Sequence, residues 1–424
     1  MAAERRNTRV RKTRTGLIAA LDIGSTKVCC LIAHSIGDGA IRIVGVGHHA
    51  SKGLRGGAVI DMDAAQSTIL TAVSAAEELA GERIREVIVN VSGGGLASQT
   101  YSVEAPVSGR EISESDLRNV LDQGNGITQP GDREILHCIP VGYKIDATRG
   151  IRDPRGMYAD MLGVDMHLVT ARTAALRNMA TCVERCHLDI EATVAAPYAS
   201  GLACLVEDEI DLGVTIVDMG GGTTTIGVFY DGEVVHTDTI PVGGQHVTSD
   251  IARGLSTPLA HAERMKTLYG SALPSPSDER ELIDVPLIGE EPSNHPNHVP
   301  RSLLNGIIRP RMEETFELVR SRLEVAGMDR VAGRRLVLTG GASQLQGVRE
   351  LAALILEKQV RMGRPMRISG LAEATSGPAF STSTGLLRYA TEKDETATQH
   401  AASMPPGRRI NRIGRWLKEN FNNS

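Results

Sequence analysis

The chain has 424 residues, of which 41% are hydrophobic and 23% charged, enough for two or three domains with cores that need neither disulfides nor metals. These proportions exclude a disordered or collagen-like chain. No run approaches the roughly 18 apolar residues of a spanning helix, and the N-terminus lacks a signal-peptide core, so a protein that stays in the cytoplasm is expected. The net charge of −5 conceals a division: residues 1–15 carry +5, residues 408–421 carry +4, and the remainder carries −14.

After the basic arm, residues 16–33 read as an apolar strand, a small-residue turn and a second strand. Residues 61–80 read as a helix capped by Asp61 or Asp63, and residues 87–91 as a compact buried strand. Residues 92–168 are more broken. Ser113 to Asp116 opens a short helix there and 135–145 alternates like a strand, the pattern of a small inserted subdomain. Residues 169–186 have helical periodicity, an alanine-rich stretch follows at 192–205, and 212–222 repeats the strand-and-turn chemistry of the N-terminus.

Six prolines between 274 and 300 predict a loop-rich region. Helical periodicity returns from about 303 to 325, followed by a strand at 336–338 and mixed elements to about 390. Residues 391–407 are almost all polar or small and read as a flexible tether. Cys182 and Cys186, one helical turn apart beside His187, allow a zinc site to be imagined. No second pair completes the usual spacing, and buried reduced thiols are the simpler reading.

Leu21-Asp22-Ile23-Gly24-Ser25-Thr26-Lys27 places an acid at a strand end, followed by glycine, two hydroxyls and a cation. Glycine lets backbone N–H groups approach an anion, and the acid can hold a cation through water. Alone, such a turn is as well explained by an ordinary hairpin. The device recurs 196 residues later in Val217-Asp218-Met219-Gly220-Gly221-Gly222-Thr223-Thr224-Thr225. Two such turns suggest related halves gripping one polyphosphate from opposite sides. A third turn, Gly340-Gly341-Ala342-Ser343, follows a strand and suits a planar base and sugar. The chain contains no Gly-Lys pair, so it is not a P-loop protein.

The order of these three turns, with the small-residue connection Val194-Ala195-Ala196-Pro197-Tyr198-Ala199-Ser200-Gly201 between the first two, resembles the superfamily of actin, the heat-shock chaperone ATPases and the sugar kinases. Within it the chain is similar to the FtsA family of bacterial cell-division proteins. That similarity runs from about Leu17 to Phe421 and includes residues 181–188, 238–252 and 381–389, Pro300-Arg301-Ser302-Leu303, Pro310-Arg311 and the terminal basic segment.

The resemblance implies an α/β, actin-like two-lobed ATPase fold with one small subdomain relocated, plus a C-terminal amphipathic helix. The expected segments are a basic arm at 1–15, a first lobe core at 16–85 and 168–205, and an inserted subdomain at 86–167. The second lobe core follows at 206–255 and 326–390 with its upper subdomain at 256–325, then a linker at 391–407 and a membrane-targeting helix at 408–421. ATP and Mg2+ are the implied cofactors. Asp22, Gly24, Ser25, Thr26 and Lys27 match the first phosphate turn, and Asp218 with Gly220, Gly221, Gly222, Thr223 and Thr224 the second. Gly340, Gly341 and Ala342 match the nucleoside turn, with Asp22 and Asp218 expected to face the metal through water.

Glu263 and Lys266 match a nucleoside-side polar pair, although surface ion pairing explains their spacing equally well. Arg301 and Arg311 lie in the lobe implied to contact the C-terminal tail of FtsZ, where a solvated helix face is the alternative. Actins carry a water-positioning glutamine in the first connecting segment. This chain reads Glu191-Ala192-Thr193-Val194 there, so hydrolysis is expected to be slow at most and no catalytic residue is assigned.

Ile410, Ile413, Leu417 and Phe421 share one arc of a helix with Trp416 at its edge, while Arg412, Arg415 and Lys418 lie largely outside it and Arg409 adds charge. Packing onto the protein's own core is one reading of this segment. The preceding tether, the five basic residues and the bordering indole favour an anionic membrane surface. The resulting expectation is a peripheral protein on the cytoplasmic face of the inner membrane at the division septum. It would polymerise, tether the FtsZ ring and bind other division proteins, with no nucleic-acid partner. An FtsA-like pilus-assembly adaptor and a small-molecule kinase of the same superfamily are the alternatives.

Overall fold

A computed structural model describes residues 16–37, 40–127, 131–289 and 297–401, with backbone alone for 392–401. The basic arm at 1–15 and the membrane-targeting segment at 408–421 lie outside the described residues.

The first lobe holds β1 (Gly16–Ile23), β2 (Lys27–Gly37), β3 (Ala40–Ala50), the short hairpin β4 (Leu54–Arg55) and β5 (Ala58–Val59), α1 (Met62–Ala80) and β6 (Glu86–Val91). The insert follows as β7 (Ala97–Glu111), α2 (Glu114–Asn125), β8 (Arg133–Ile145), β9 (Thr148–Ile151) and β10 (Tyr158–Arg172). The chain returns through α3 (Thr173–Glu184) and β11 (Asp189–Ala195), and α4 (Ala196–Cys204) carries it across to the second lobe.

That lobe begins with α5 (Glu207–Leu212), β12 (Val214–Met219), β13 (Thr224–Tyr230), β14 (Glu233–Ile240), α6 (Gly244–Gly254) and α7 (Leu259–Tyr269). It continues with β15 (Leu282–Asp284), β16 (His298–Pro300), α8 (Arg301–Val325), α9 (Met328–Val331), β17 (Arg335–Thr339), α10 (Val348–Leu356) and β18 (Gln359–Met362). The long α11 (Ser381–Ala401) ends the described chain.

The two lobes are copies of one topology. The first sheet has the order β11-β6-β1-β2-β3, and the second begins β18-β17-β12-β13-β14. In each, an antiparallel hairpin carries a parallel strand on its outer side. The repeat extends to the register, since Asp22 pairs with Cys29 and Asp218 with Thr225. Fully buried apolar strands such as Ala19 to Leu21 and Ile216 to Val217 are what a sheet covered on both faces requires.

Helices α4 and α11 lie between the sheets. Ala199 of α4 and Leu386 and Leu387 of α11 pack with Ile18 and Leu31 of the first sheet, while Ala203 and Cys204 pack with Val214 and Phe229 of the second. Gly385 meets the Ala199 backbone so closely that no side chain fits there. On the outer faces, α1 covers the first sheet through Ile69, Ala72 and Ala76, and α8 covers the second through Ile308, Met312 and Phe316. Asp61 caps α1, its carboxylate accepting from the Asp63 and Ala64 amides, and Gly81 at φ 71° closes it.

Three expectations are revised. β6 pairs with β1 and β11, so the insert begins after Val91 and not at 86. Residues 169–172 belong to β10, paired with β8 throughout and with β7 as far as Thr170, so the helix there starts only at Thr173. A strand buried on both faces is continuously apolar and is not separable from a helix by period. The third revision concerns 391–401, expected as the first part of a tether, which continues α11. No glycine or proline interrupts the chain there before Pro405. The insert sheet joins the second lobe through one backbone pair, Asp238 with Ala97, and through Ser98, whose hydroxyl donates to Thr237 O at 2.8 Å. The cysteines are free, and no metal-binding His, Cys, Asp and Glu cluster occurs among the described residues.

Candidate functional site

Because the hairpins share a register, the two Asp-x-Gly turns close with the same hydrogen bond: the Gly24 amide donates to Lys27 O at 3.0 Å and the Gly220 amide to Thr223 O at 2.9 Å. The turns face each other across the interlobe cleft. A Cβ on Gly221 would lie 2.7 Å from the Thr26 hydroxyl oxygen, and one on Gly222 would lie 2.9 Å from the Ser25 Cβ. Glycine is therefore required at both positions for the approach itself. The Ser25 hydroxyl accepts from the Gly57 amide at 3.0 Å, tying the first turn to the segment that follows β4.

Asp22 and Asp218 end equivalent strands and are each 8% exposed. Burial pushes the Asp22 carboxyl up to about 7, with Lys27 opposing and Asp218 adding to the rise. Burial also raises Asp218, against hydrogen bonds from Ser200 and Thr382 and the charge of Lys27. The Thr382 hydroxyl donates to Asp218 Oδ2 at 2.9 Å. Lys27 Nζ donates to Ala379 O at 2.6 Å and sits 3.3 Å from the centre of the Phe380 ring. Two buried acids held above their ordinary range are relieved by a cation, so this pair suits a divalent metal that takes the rest of its shell from phosphate and water.

The third turn joins the same region. Gly340, at φ 86°, follows β17, and a Cβ on Gly244, at the start of α6, would lie 3.1 Å from the Ala342 Cβ and 3.6 Å from Lys266 Nζ. Gly341 begins the short helical turn between them. Lys266 and Glu263 form an ion pair at 2.7 Å, as their spacing predicts. Lys266 also donates to Gly244 O at 3.2 Å and to the Thr248 hydroxyl at 2.9 Å, which brings this pair to the mouth between the second and third turns.

Some expected residues lie elsewhere. Thr224 is fully buried in β13 and donates to Val242 O at 2.8 Å, so its hydroxyl is spent on the connection between β14 and α6. Arg301 donates to Tyr269 O at 2.7 Å and pairs with Glu281 at 2.9 Å. Arg311 binds the Asp250 carboxylate through two nitrogens, at 2.6 and 3.2 Å. Both arginines have partners within their own lobe and brace α8 against neighbouring elements.

Other site residues were not read from sequence. Ser200 and Thr382 fell inside strings that carried the family likeness, but their convergence on Asp218 depends on α4 and α11 crossing. Gln245 reaches the cleft from α6. Its amide donates to Gly221 O at 2.8 Å and its side chain to Ser25 O at 3.3 Å, linking the two phosphate turns. Glu191 lies on β11.

The sequence model described as cell division protein FtsA matches residues 215–385, and that of the SHS2 domain inserted in FTSA matches 93–170. The second range begins within a few residues of the observed insert. Proteins named cell division protein FtsA are similar over nearly the whole chain. That of Rhizobium meliloti (strain 1021) is 48% identical, covering 96% of both chains. That of Pseudomonas aeruginosa is 35% identical over 96% of this chain and 98% of its own, and that of Escherichia coli (strain K12) is 33% identical over 97% and 100%.

Among solved structures, the PilM-PilN type IV pilus biogenesis complex gives a TM-score of 0.61 at 16% identity, covering 88% of this chain and 98% of that one. MreB5 of Spiroplasma citri bound to ADP gives 0.53 at 14%, covering 92% and 99%. At these identities the likeness is one of fold, and the fold is actin-like.

Proposed function

Because the chain belongs to the FtsA family of bacterial cell-division proteins, we propose that it binds Mg·ATP between its lobes and tethers the FtsZ ring to the cytoplasmic face of the inner membrane. The observation that carries nucleotide binding is the opposition of two like turns, Ser25 and Thr26 against Gly221 and Gly222, with Asp22 and Asp218 behind them. The amides of both turns bind phosphate oxygens, Lys27 supplies the cation, and Asp22 and Asp218 hold the metal through water. The metal neutralises phosphate charge when bound. Gly340, Gly341 and Ala342 flank the nucleoside, with Glu263 and Lys266 at its edge. The Glu191 neighbourhood supplies no water-positioning glutamine, so any hydrolysis is slow and the primary role is that of an adaptor.

No helix among the described residues is long and apolar enough to cross a membrane. Attachment is assigned to 408–421, where Arg409, Ile410, Arg412, Ile413, Arg415, Trp416, Leu417, Lys418 and Phe421 combine an apolar arc with basic charge. A 14-residue helix is marginal in water. Its few apolar contacts, with about 1 kcal/mol per basic group near anionic lipid, give weak attachment that self-assembly into protofilaments multiplies. The upper subdomain of the second lobe, braced by Arg301 and Arg311, takes the FtsZ tail, and other division proteins join the assembly.

Capture by an immobilised FtsZ C-terminal peptide tests the partner. Failure of folded, ATP-loaded protein to bind moves the assignment to a pilus-assembly adaptor. Removal of residues 408–424 is expected to abolish flotation with anionic vesicles, and unchanged flotation sinks the anchor.

A further inference from the structure

We propose that residues 378–382, at and just before the start of α11, form a third wall of the polyphosphate site, with Phe380 positioning the Lys27 ammonium. All three glycine turns touch this segment. The first reaches it through Lys27, which donates to Ala379 O at 2.6 Å and lies over the Phe380 ring at 3.3 Å. The second reaches it through Asp218, which accepts from Thr382 at 2.9 Å. The third reaches it through the Gly340 amide, which donates to Pro378 O at 3.2 Å, and through Thr339, whose hydroxyl lies 2.6 Å from that of Ser381.

The ring is itself held. It is 8% exposed, and His48 of β3 meets it edge-on at 5.8 Å. A lysine side chain has four flexible torsions, and an aromatic face with a carbonyl beside it reduces the places its ammonium occupies. The ring thus sets where the first turn's only cation stands relative to a bound phosphate. Beyond this wall, α11 packs its Leu386 and Leu387 on the first sheet, and Tyr389 meets Tyr198 of α4 and His137 of the insert, each at 5.9 Å.

The inference rests on the nucleotide reading above and is tested on the full chain by calorimetry with Mg·ATP and with adenosine, which lacks phosphate. Phe380→Leu is expected to weaken ATP about fivefold while leaving adenosine unchanged, and Phe380→Tyr, which keeps the ring, is expected to stay within about twofold of wild type. Equal loss for both ligands, or no loss for either, overturns the proposal. Hydrogen exchange on the wild-type chain guards against misfolding of the leucine variant. ATP but not adenosine is expected to slow exchange at 379–384, and equal exchange overturns the proposal. Wild-type chain with no ATP affinity overturns the nucleotide reading itself, a result distinct from any of these.

Discussion

Thr26 of the first glycine turn stands against Gly221 of the second, its hydroxyl oxygen 2.7 Å from where a Cβ on that glycine would be. Gly221→Ala therefore forces the turns apart without touching either lobe's core. Overpacking of this kind costs about 1–3 kcal/mol, and since the strain falls on the folded chain itself, the melting temperature is expected to fall by a few degrees and ATP affinity about tenfold or more. Calorimetry with a thermal melt checks both halves; wild-type affinity would mean that the ligand does not need the turns this close.

Asp218 gathers Ser200 and Thr382 from the two crossing helices. Asp218→Ala removes a charged acceptor and leaves both hydroxyls without it, so metal-nucleotide affinity is expected to fall about ten- to hundredfold. Retained affinity in calorimetry would show that the second turn is not a phosphate site.

The carboxyl of Asp22, pushed up to about 7 from 3.8, makes the chain sensitive to pH in a stated direction. Between those values the folded protein holds a proton that the unfolded chain has released, so stability without ligand declines as pH rises from about 4 to 7. Asp22→Asn removes that part of the slope, and Mg·ATP, which favours the ionised acid, reduces it. Thermal melts at pH 5, 6 and 7 read the difference between variant and wild type, and superimposable slopes would contradict the assignment.

At the junction of insert and second lobe, His167 is 1% exposed and neither ring nitrogen has a hydrogen-bond partner. Burial, with His236 and His137 nearby, lowers its pKa to about 3 from 6.5. The unfolded chain then binds a proton that the folded one refuses, and stability is lost as pH falls below about 6.5. His167→Phe keeps the ring shape and removes two unpaired polar atoms. It is expected to stabilise the protein by about 1 kcal/mol at pH 7 and by more at pH 5. A variant less stable than wild type at both pH values would show that the nitrogens are satisfied in solution.

The sequence by itself determined the chemistry of the turns, because Asp-x-Gly after an apolar strand is a local pattern and its recurrence at 196 residues marks duplication. It likewise determined α1, although the choice of Asp61 over Asp63 as its cap came from the structure, and the position of Lys266 beside Glu263. The tertiary structure decided what long-range packing controls. Residues 169–172 became strand because β8 was there to pair with all four and β7 with the first two. Arg301 and Arg311 turned inward because Glu281 and Asp250 met them.

Gln245, Thr382 and Phe380 joined the cleft because α6, α11 and the turn just before α11 deliver them, 220, 164 and 353 positions distant from Ser25, Asp218 and Lys27. Period and composition record which face of an element is apolar. They do not record which element it will meet, and at this site the meeting of two lobes and one crossing helix completes the wall that the glycine turns begin.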